Sequence, residues 1–448
     1  MEGMKQYPAY KPESRVPGVT EVPEHWEVIR NSVIFREVSE TGYGDLELLS
    51  ILSDRGVVKQ SETGRKERAP EDRSQYKRIL NGDIGYNLMN AFVGAIGVSN
   101  YDGIISPAYA VCRPKIEIDA TYFHYLFRTD LYLTEFDRNA YGIMDERNRL
   151  YFDNFKNIYV PFPPIDEQRR IITYINHKLA QIDQFICYKR RLIELLNEQK
   201  TVLINRAVTK GLNSAAPMKP SGIEWLGEIP EYWSMKRLKF LTNFVTSGSR
   251  GWAKYYSDNG STFLRIGNLS NTSIELDLTN LQFVNPPQGA EGERTRVCYE
   301  DLLISITALI GAVGVVPQNI GETYVNQHIA LVRLIKKEIY PRWVAYCTRS
   351  IVGQNQFFTF MNGGTKDGLT LDDVKNLFVL VPPLSEQIEI ANYIDSELTK
   401  VDSGISQVQR EIELIQEYRT TLISYAVTGK IDVRDTLERG AALVAGGV

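Results

Sequence analysis

The chain has 448 residues, 43% of them hydrophobic and 24% charged, with a formal net charge of −4 and a pI near 5.8. That is an ordinary globular composition with room for about three domains. No apolar run approaches the ~20 residues of a membrane span; the start MEGMKQYPAYKPE lacks a signal-peptide core; and Cys112, Cys187, Cys298 and Cys347 are scattered without a C-x-x-C, so neither a disulfide framework nor a zinc site is expected and a reducing cytoplasm fits.

Taken in order, residues 1–162 read as a mixed α/β region. Its β-rich runs are Leu48–Leu52, Asp83–Leu88, Ala95–Ser99 and Ala108–Cys112, with one helical stretch at Thr121–Phe136. Arg55, Lys59, Arg65, Lys66, Arg68, Arg73, Lys77 and Arg78 crowd one stretch. Glu62, Glu67, Glu71 and Asp72 dilute it, so alone it reads as a solvated face more readily than as a binding patch. A long helix follows over 163–212, then a linker over 213–219, within Gly211–Pro217 at its start.

A second mixed region spans 220–381. Its strands are expected at Phe263–Ile266, Leu302–Ile306, Ala312–Val316 and Ile329–Leu334, and one helix at Pro341–Phe357. A polar-aromatic loop, Ser247 to Tyr256, precedes Arg265-Ile-Gly-Asn268. Arg and Lys suit phosphates and guanine edges, and Asn and Gln suit adenine. Trp252, Tyr255 and Tyr256 offer rings to stack or wedge, or else cover the core. A second long helix over 382–432 and a tail over 433–448 complete the chain.

The two halves repeat. Val160–Leu212 and Val379–Ile431 align without a gap at roughly 40% identity, both opening on Pro-Pro and then Glu-Gln, both ending on Ala-Val-Thr. Upstream, Val22-Pro-Glu-His-Trp26 matches Ile229-Pro-Glu-Tyr-Trp233, Phe92–Val98 resembles Leu309–Val315, and Leu150–Asn157 matches Leu369–Asn376. The stretches between are dissimilar, as expected of one scaffold carrying two recognition surfaces.

Each repeated helix carries a seam at alternating spacings of four and three: Ile175, Leu179, Ile182, Ile186, Lys189, Ile193, Leu196, Lys200, Leu203 and Ala207, then Ile394, Leu398, Val401, Ile405, Val408, Ile412, Ile415, Arg419, Leu422 and Ala426. Each helix should start after its Pro-Pro pair, with Asp166 and Ser385 as N-caps, and hold about 45 residues, or ~68 Å. The two arms are expected to pair antiparallel. Lys200 and Arg419 share one seam position, where fixing register or snorkelling is preferred over a DNA contact.

Signs of chemistry are missing. Val284-Asn-Pro-Pro-Gln288 resembles the N-P-P-aromatic motif of adenine methyltransferases, but Gln288 cannot stack a flipped base and no F-x-G-x-G loop accompanies it. No P-loop occurs. Glu198-Gln-Lys200 has a nuclease-like spacing but lies on the arm. His25, His124, His177 and His328 are dispersed, without metal-ligand spacing. Gly94-Ala-Ile-Gly97 and Gly311-Ala-Val-Gly314 read as turns or tight strand packing.

With its doubled Pro-Pro-x-x-Glu-Gln helix and Pro-Glu-x-Trp lead-in, the chain resembles the specificity (S) subunit of type I restriction-modification systems over nearly its whole length. The stretch Ser221–Trp233 is part of that resemblance; its amino-terminal counterpart lacks the first Trp. The resemblance implies an α+β (mixed α/β) fold: two target-recognition domains, 1–162 and 220–381, joined by antiparallel coiled-coil helices in a pseudo-twofold duplication. Each domain would read one half of a split, asymmetric site in double-stranded DNA. Two methyltransferase subunits would grip the complex and methylate adenine with S-adenosylmethionine, this chain holding no cofactor, and restriction subunits can join. The contact residues chosen from chemistry and loop position are Lys59, Arg65, Arg73, Asn87, Tyr109 and Arg147 in the first region. In the second they are Arg250, Trp252, Lys254, Tyr256, Gln327, His328 and Lys366. Two other readings stay open here: a coiled-coil scaffold binding only proteins, and a methyltransferase or nuclease in its own right.

Overall fold

In a computed structural model of the chain, each Pro-Pro pair turns a strand into a long helix. The structure describes residues 5–13, 15–64, 72–142, 148–248, 250–286, 289–362 and 368–434. Strand Tyr159–Phe162 leads through the first pair into helix Ile165–Lys210, of 46 residues, and strand Phe378–Val381 leads into Leu384–Val427, of 44. The amides of Gln168 and Gln387 donate to the carbonyls of Pro164 and Pro383 at 3.0 Å. The helices thus begin two residues earlier than the expected caps imply. Asp166 and Ser385 lie in the first turn and are not caps; a proline carbonyl opens each hydrogen-bond ladder. Asp166 and Glu167 there complement the helix dipole.

Two compact units divide the chain, 1–189 with 409–448, and 190–408. The divisions fall inside the long helices, so each unit holds the front of one arm and the back of the other. In the first unit Asp183 pairs with Arg419 at 2.8 Å and Lys189 with Glu411 at 2.6 Å. Rising numbers on one helix meet falling numbers on the other, so these segments are antiparallel. In the second unit Lys200 pairs with Asp402 at 2.6 Å, while Ile204, Ala207 and Val208 share a core with Ile390, Ile394 and Leu398. Asp183 and Asp402 hold the same position of the two copies, as do Lys200 and Arg419, so one interhelical ion pair occurs once in each unit. Every expected seam residue is buried or half-buried, and the basic seam residues serve pairing, as preferred from sequence.

Each unit contains the same four-stranded antiparallel sheet. In the first, Tyr109–Pro114 is flanked by Phe35–Val38 and Ile84–Asn87, and the latter pairs with Ile96–Val98. In the second, Ile329–Leu334 lies between Thr242–Ser247 and Leu302–Ser305, which pairs with Val313–Val315. The second unit adds a sheet of Tyr256–Ser257, Gln282–Val284, Ser261–Leu264 and Thr323–Val325. The expected single helices are each broken in two: Ala120–Phe127 and Asp130–Asn139, then Pro341–Arg349 and Ile351–Asn362. Thr129 and Ser350 interrupt them, each hydroxyl donating back to the carbonyl three residues earlier, Leu126 at 2.7 Å and Cys347 at 2.8 Å.

The repeated motifs clamp arm to domain. Glu167 accepts from Tyr7 Oη (2.5 Å), His25 Nε2 (2.8 Å) and Trp26 Nε1 (3.1 Å); Glu386 accepts from Tyr232 Oη (2.9 Å) and Trp233 Nε1 (3.2 Å). Gln168 Oε1 takes the Asp119 amide at 2.9 Å and Gln387 Oε1 the Tyr340 amide at 2.8 Å. Pro-Glu-x-Trp and Pro-Pro-x-x-Glu-Gln therefore recur together because one satisfies the other. The Ala-Val-Thr ends complete the cores: Ala426 and Val427 pack with Trp26, and Ala207 and Val208 with Trp233.

A repeated scaffold pair escaped the sequence reading. Asp83 accepts from Arg113 Nε (3.1 Å) and Nη2 (3.0 Å), and Asp301 from Arg333 Nε (2.9 Å) and Nη2 (2.7 Å). Both aspartates are buried, precede equivalent strands, and also bond a backbone amide, of Leu80 and Cys298 respectively.

The Gly-Ala-Ile-Gly motif explains one buried histidine. Gly94 takes a left-handed φ of 92° at the turn. At Gly97 a Cβ would lie 2.7 Å from His124 Nδ1, so glycine makes room for the ring. His124 Nδ1 accepts from the Val98 amide at 3.4 Å. Burial, with Arg128 nearby, pulls the imidazole pKa down to about 4. The folded form therefore favours neutral His124 more than the unfolded chain does. Stability is fully present above about pH 6.5, is lost as pH falls toward 4, and flattens below, by at most about 3 kcal/mol. Urea midpoints for wild type and His124→Gln between pH 7.5 and 4 should diverge only in that window; parallel curves would remove the histidine from the account.

Candidate nucleic-acid interface

The second unit brings only part of its chosen set together. The Ser247–Trp252 loop leaves strand Thr242–Ser247 beside the turn that follows Thr323–Val325. Gly248 sits where a Cβ would lie within 2.1 Å of the Val325 and Asn326 carbonyls, and its amide donates to the Ile329 carbonyl at 3.2 Å. Beyond it Arg250 is exposed, with no ion pair among the described residues. Lys254 is exposed, its Nζ 4.9 Å from the Tyr255 ring centre. Tyr256 is exposed at the edge of the small sheet. In the adjoining turn, Gln327 Nε2 lies 2.9 Å from His328 Nε2, and His328 Nδ1 lies 3.1 Å from Thr307 Oγ1. With Gln327 donating, this chain holds the two half-buried side chains in fixed orientations. Gly248 thus sets the start of the loop that carries Arg250 against the turn that carries Gln327 and His328, whereas Tyr256 lies level with Val284 and Ser261, at the other end of the small sheet from Leu264 and Val325.

Trp252 is the correction. Its side chain is 2% exposed and stacks on Phe263 with ring centres 5.5 Å apart and planes 16° from parallel. The indole is core to the small sheet and unavailable to a base, because burying its large apolar area wins over leaving it exposed in the loop.

In the first unit Asn87 and Tyr109 are direct partners across two strands, half-buried at the sheet end. Asn87 Oδ1 accepts from the Met89 amide at 2.9 Å, and the Tyr109 carbonyl accepts from Lys77 Nζ at 2.7 Å. The described residues of the basic stretch are engaged within the protein. Lys59 pairs with Glu47 at 2.9 Å and lies 5.2 Å from the Tyr101 ring centre. Arg78 lies 4.6 Å from that of Tyr43. Arg73 is half-buried beside Gly44. Charge alone could not reveal these pairings, since Glu47, Tyr43 and Tyr101 come from distant strands and loops. Arg65, Lys66, Arg68, Arg147, Lys366 and Gln288 lie outside the described residues.

Among the described residues no cluster of His, Cys, Asp and Glu is arranged to hold a metal, and no helix is long and apolar enough to cross a membrane. The four cysteines are free thiols. Residues 232–414 match the family model described as the type I restriction modification DNA specificity domain. The chain is also 24% identical over 436 residues to a Methanocaldococcus jannaschii protein named as the type I restriction enzyme MjaX specificity subunit, covering 93% of this chain and 96% of that one. The chain is thus similar over nearly its whole length to a type I restriction enzyme specificity subunit, and residues 232–414 match the type I restriction modification DNA specificity domain. The EcoBI specificity subunit of Escherichia coli is 22% identical over 328 residues, 72% of this chain and 68% of that one. Among solved structures, this chain shares its fold with a chain from work on assembly and conformational transition of the type I R-M system, at TM-score 0.65 and 19% identity. That match covers 92% of this chain and 99% of the other. The HsdS subunit from Thermoanaerobacter tengcongensis matches at TM-score 0.56 and 17% identity, with the same coverage.

Proposed function

We propose that this chain is the non-catalytic sequence reader of a type I restriction-modification complex, in which residues 1–162 and 220–381 each read one half of a bipartite, asymmetric DNA site. The arms, 163–212 and 382–432, pair antiparallel, with 213–219 as linker and 433–448 as tail. They also dock two methyltransferase subunits, which supply S-adenosylmethionine chemistry; restriction subunits complete the cleaving form. The assembly works in the cytoplasm, on double-stranded DNA. The observation that carries this reading is the repeated frame: identical Glu–Trp clamps and Asp–Arg pairs support sheets whose end loops differ in sequence. A scaffold kept in duplicate under unlike loops suits two readers of unlike sequence. In this reading Arg250, Lys254, Tyr256, Gln327, His328 and Lys366 face one half-site, and Lys59, Arg65, Arg73, Asn87, Tyr109 and Arg147 the other. Base-edge donors and acceptors specify, while the cations position the backbone.

Exchanging residues 220–380 for the matching region of a relative with a known site should change one half of the methylated sequence and leave the other intact, as read by mapping methylated adenines in cells carrying the chimera. A change in both halves, or in neither, contradicts independent reading.

A further inference from the structure

The two copies use one repeated arginine differently. Arg128 and Arg349 each stand just before the hydroxyl residue that breaks the helix pair, Thr129 or Ser350. Arg128 is satisfied within the first unit: Nη1 donates to the Gly94 carbonyl at 2.7 Å and the Ile96 carbonyl at 3.1 Å, and Nη2 to the Ser53 carbonyl at 2.8 Å. It staples the Gly-Ala-Ile-Gly turn. In the second unit the matching carbonyl, of Gly311, receives Gln354 Nε2 instead, at 3.4 Å. Arg349 keeps one weak bond, Nε to the Asn271 carbonyl at 3.3 Å, and its Nη1 is buried without any hydrogen-bond partner.

The Arg349 side chain also lines a pocket of about 230 Å³, together with Thr201, Ile204, Asn205, Asn271, Gly311 and Gln354. Asn205 Oδ1 is already committed to the Ile351 amide at 2.8 Å, which leaves its NH₂ group among the donors available there. A buried guanidinium edge with amide donors around it, and no facing carboxylate in the pocket, calls for a planar anion. Burial holds the guanidinium pKa below its usual value, outweighing the opposing influence of Tyr346 and Asp402.

The surroundings select the source of that anion. Ile351, 39% exposed, and Phe358, 70% exposed, lie two turns apart on the helix that starts at the pocket. A recessed arginine beside two exposed apolar side chains suits a protein segment, whereas a DNA backbone favours projecting cations on a polar surface.

We propose that the Arg349 pocket receives an aspartate or glutamate side chain of a partner protein, whose apolar flanks cover Ile351 and Phe358. Resting on the assembly reading above, that partner is the methyltransferase subunit. The pocket is a feature of the second copy, because Leu133 stands where the second copy has Gln354, and there the arginine remains a structural staple.

The test titrates the full chain with the purified methyltransferase subunit of the same system, and measures urea unfolding of each variant. R349M should weaken assembly at least tenfold, with R349K restoring only part, and should leave the unfolding midpoint unchanged or raised, since it removes a buried cation without a partner. R128M should instead lower the midpoint. I351S and F358S, both at exposed positions, should weaken assembly severalfold while leaving unfolding unaltered. Assembly of R349M equal to wild type overturns the pocket, as does a fall in its midpoint matching that of R128M. Unchanged assembly with a DNA salt slope reduced by about one would assign Arg349 to a phosphate instead. Wild-type chain that fails to bind the methyltransferase would overturn the assembly reading itself, a result distinct from wild-type binding that R349M preserves.

Discussion

Glu167→Ala should destabilise the first unit by about 3–5 kcal/mol, the cost of removing one partner from a buried, charge-assisted cluster. Glu167 is buried and accepts from three side chains. Tyr7 and Trp26 are buried as well, so their donors would have no route to water; His25 is more open and can rehydrate. The same substitution in the other copy should cost less, about 1–2 kcal/mol, because Tyr232 is half exposed and can turn to solvent, leaving only the Trp233 indole unpaired. Glu167→Gln should recover part of the loss, since one carbonyl oxygen remains while the other acceptor becomes a donor facing donors. Trp26 is the single tryptophan of the first unit among five in the chain. Amide exchange over 171–186 compared with 390–405 would assign each loss to its unit. Equal losses for Glu167→Ala and Glu386→Ala would contradict the explanation by donor burial.

Asp83→Ala is expected to cost about 3 kcal/mol and Asp301→Ala about 2 kcal/mol, both by breaking an ion pair with a buried carboxylate. Each aspartate ties a strand-start turn to the central strand through two guanidinium bonds and one backbone amide. Arg113 is 17% exposed and would keep only Glu40, at 2.6 Å. Arg333, 35% exposed, can be rehydrated more completely, which discounts the second loss. A double-mutant cycle of Asp301→Ala with Arg333→Met, followed by urea unfolding, should show coupling of about 1–2 kcal/mol. Simple additivity would show that the aspartate acts through the Cys298 amide alone. Because strands Ile84–Asn87 and Leu302–Ser305 lead directly to Asn87 and Thr307, each substitution should also loosen reading of its own half-site while sparing the other.

Periodicity and repetition made much of this protein legible from its sequence. An apolar seam at spacings of four and three can be buried only by a helix, and Pro-Pro can stand only outside one, so both arms followed from covalent chemistry. The β-rich runs located strand Ile329–Leu334 without error, and the other expected strands to within a few residues. Repetition identified Pro-Glu-x-Trp and Glu-Gln as belonging to the frame, though not that they bond each other.

Partnership, by contrast, was decided only by the tertiary structure. The helix breaks at Thr129 and Ser350 arise from hydroxyls that bond their own backbone, an option equally open to a continuous helix. Trp252 lies in an aromatic, basic loop, yet packing against Phe263 and Tyr324 from other strands takes it into the core. Lys59 looks like an ordinary solvated cation until Glu47 is brought beside it. Arg128 and Arg349 are the same letter at the same repeated position; whether that charge is spent on three carbonyls or left facing a pocket depends on Gln354 reaching Gly311. Local sequence fixes which groups a segment carries and how its backbone prefers to turn. Which of those groups are satisfied is a property of non-local neighbours, and free valences are what a binding surface is made of.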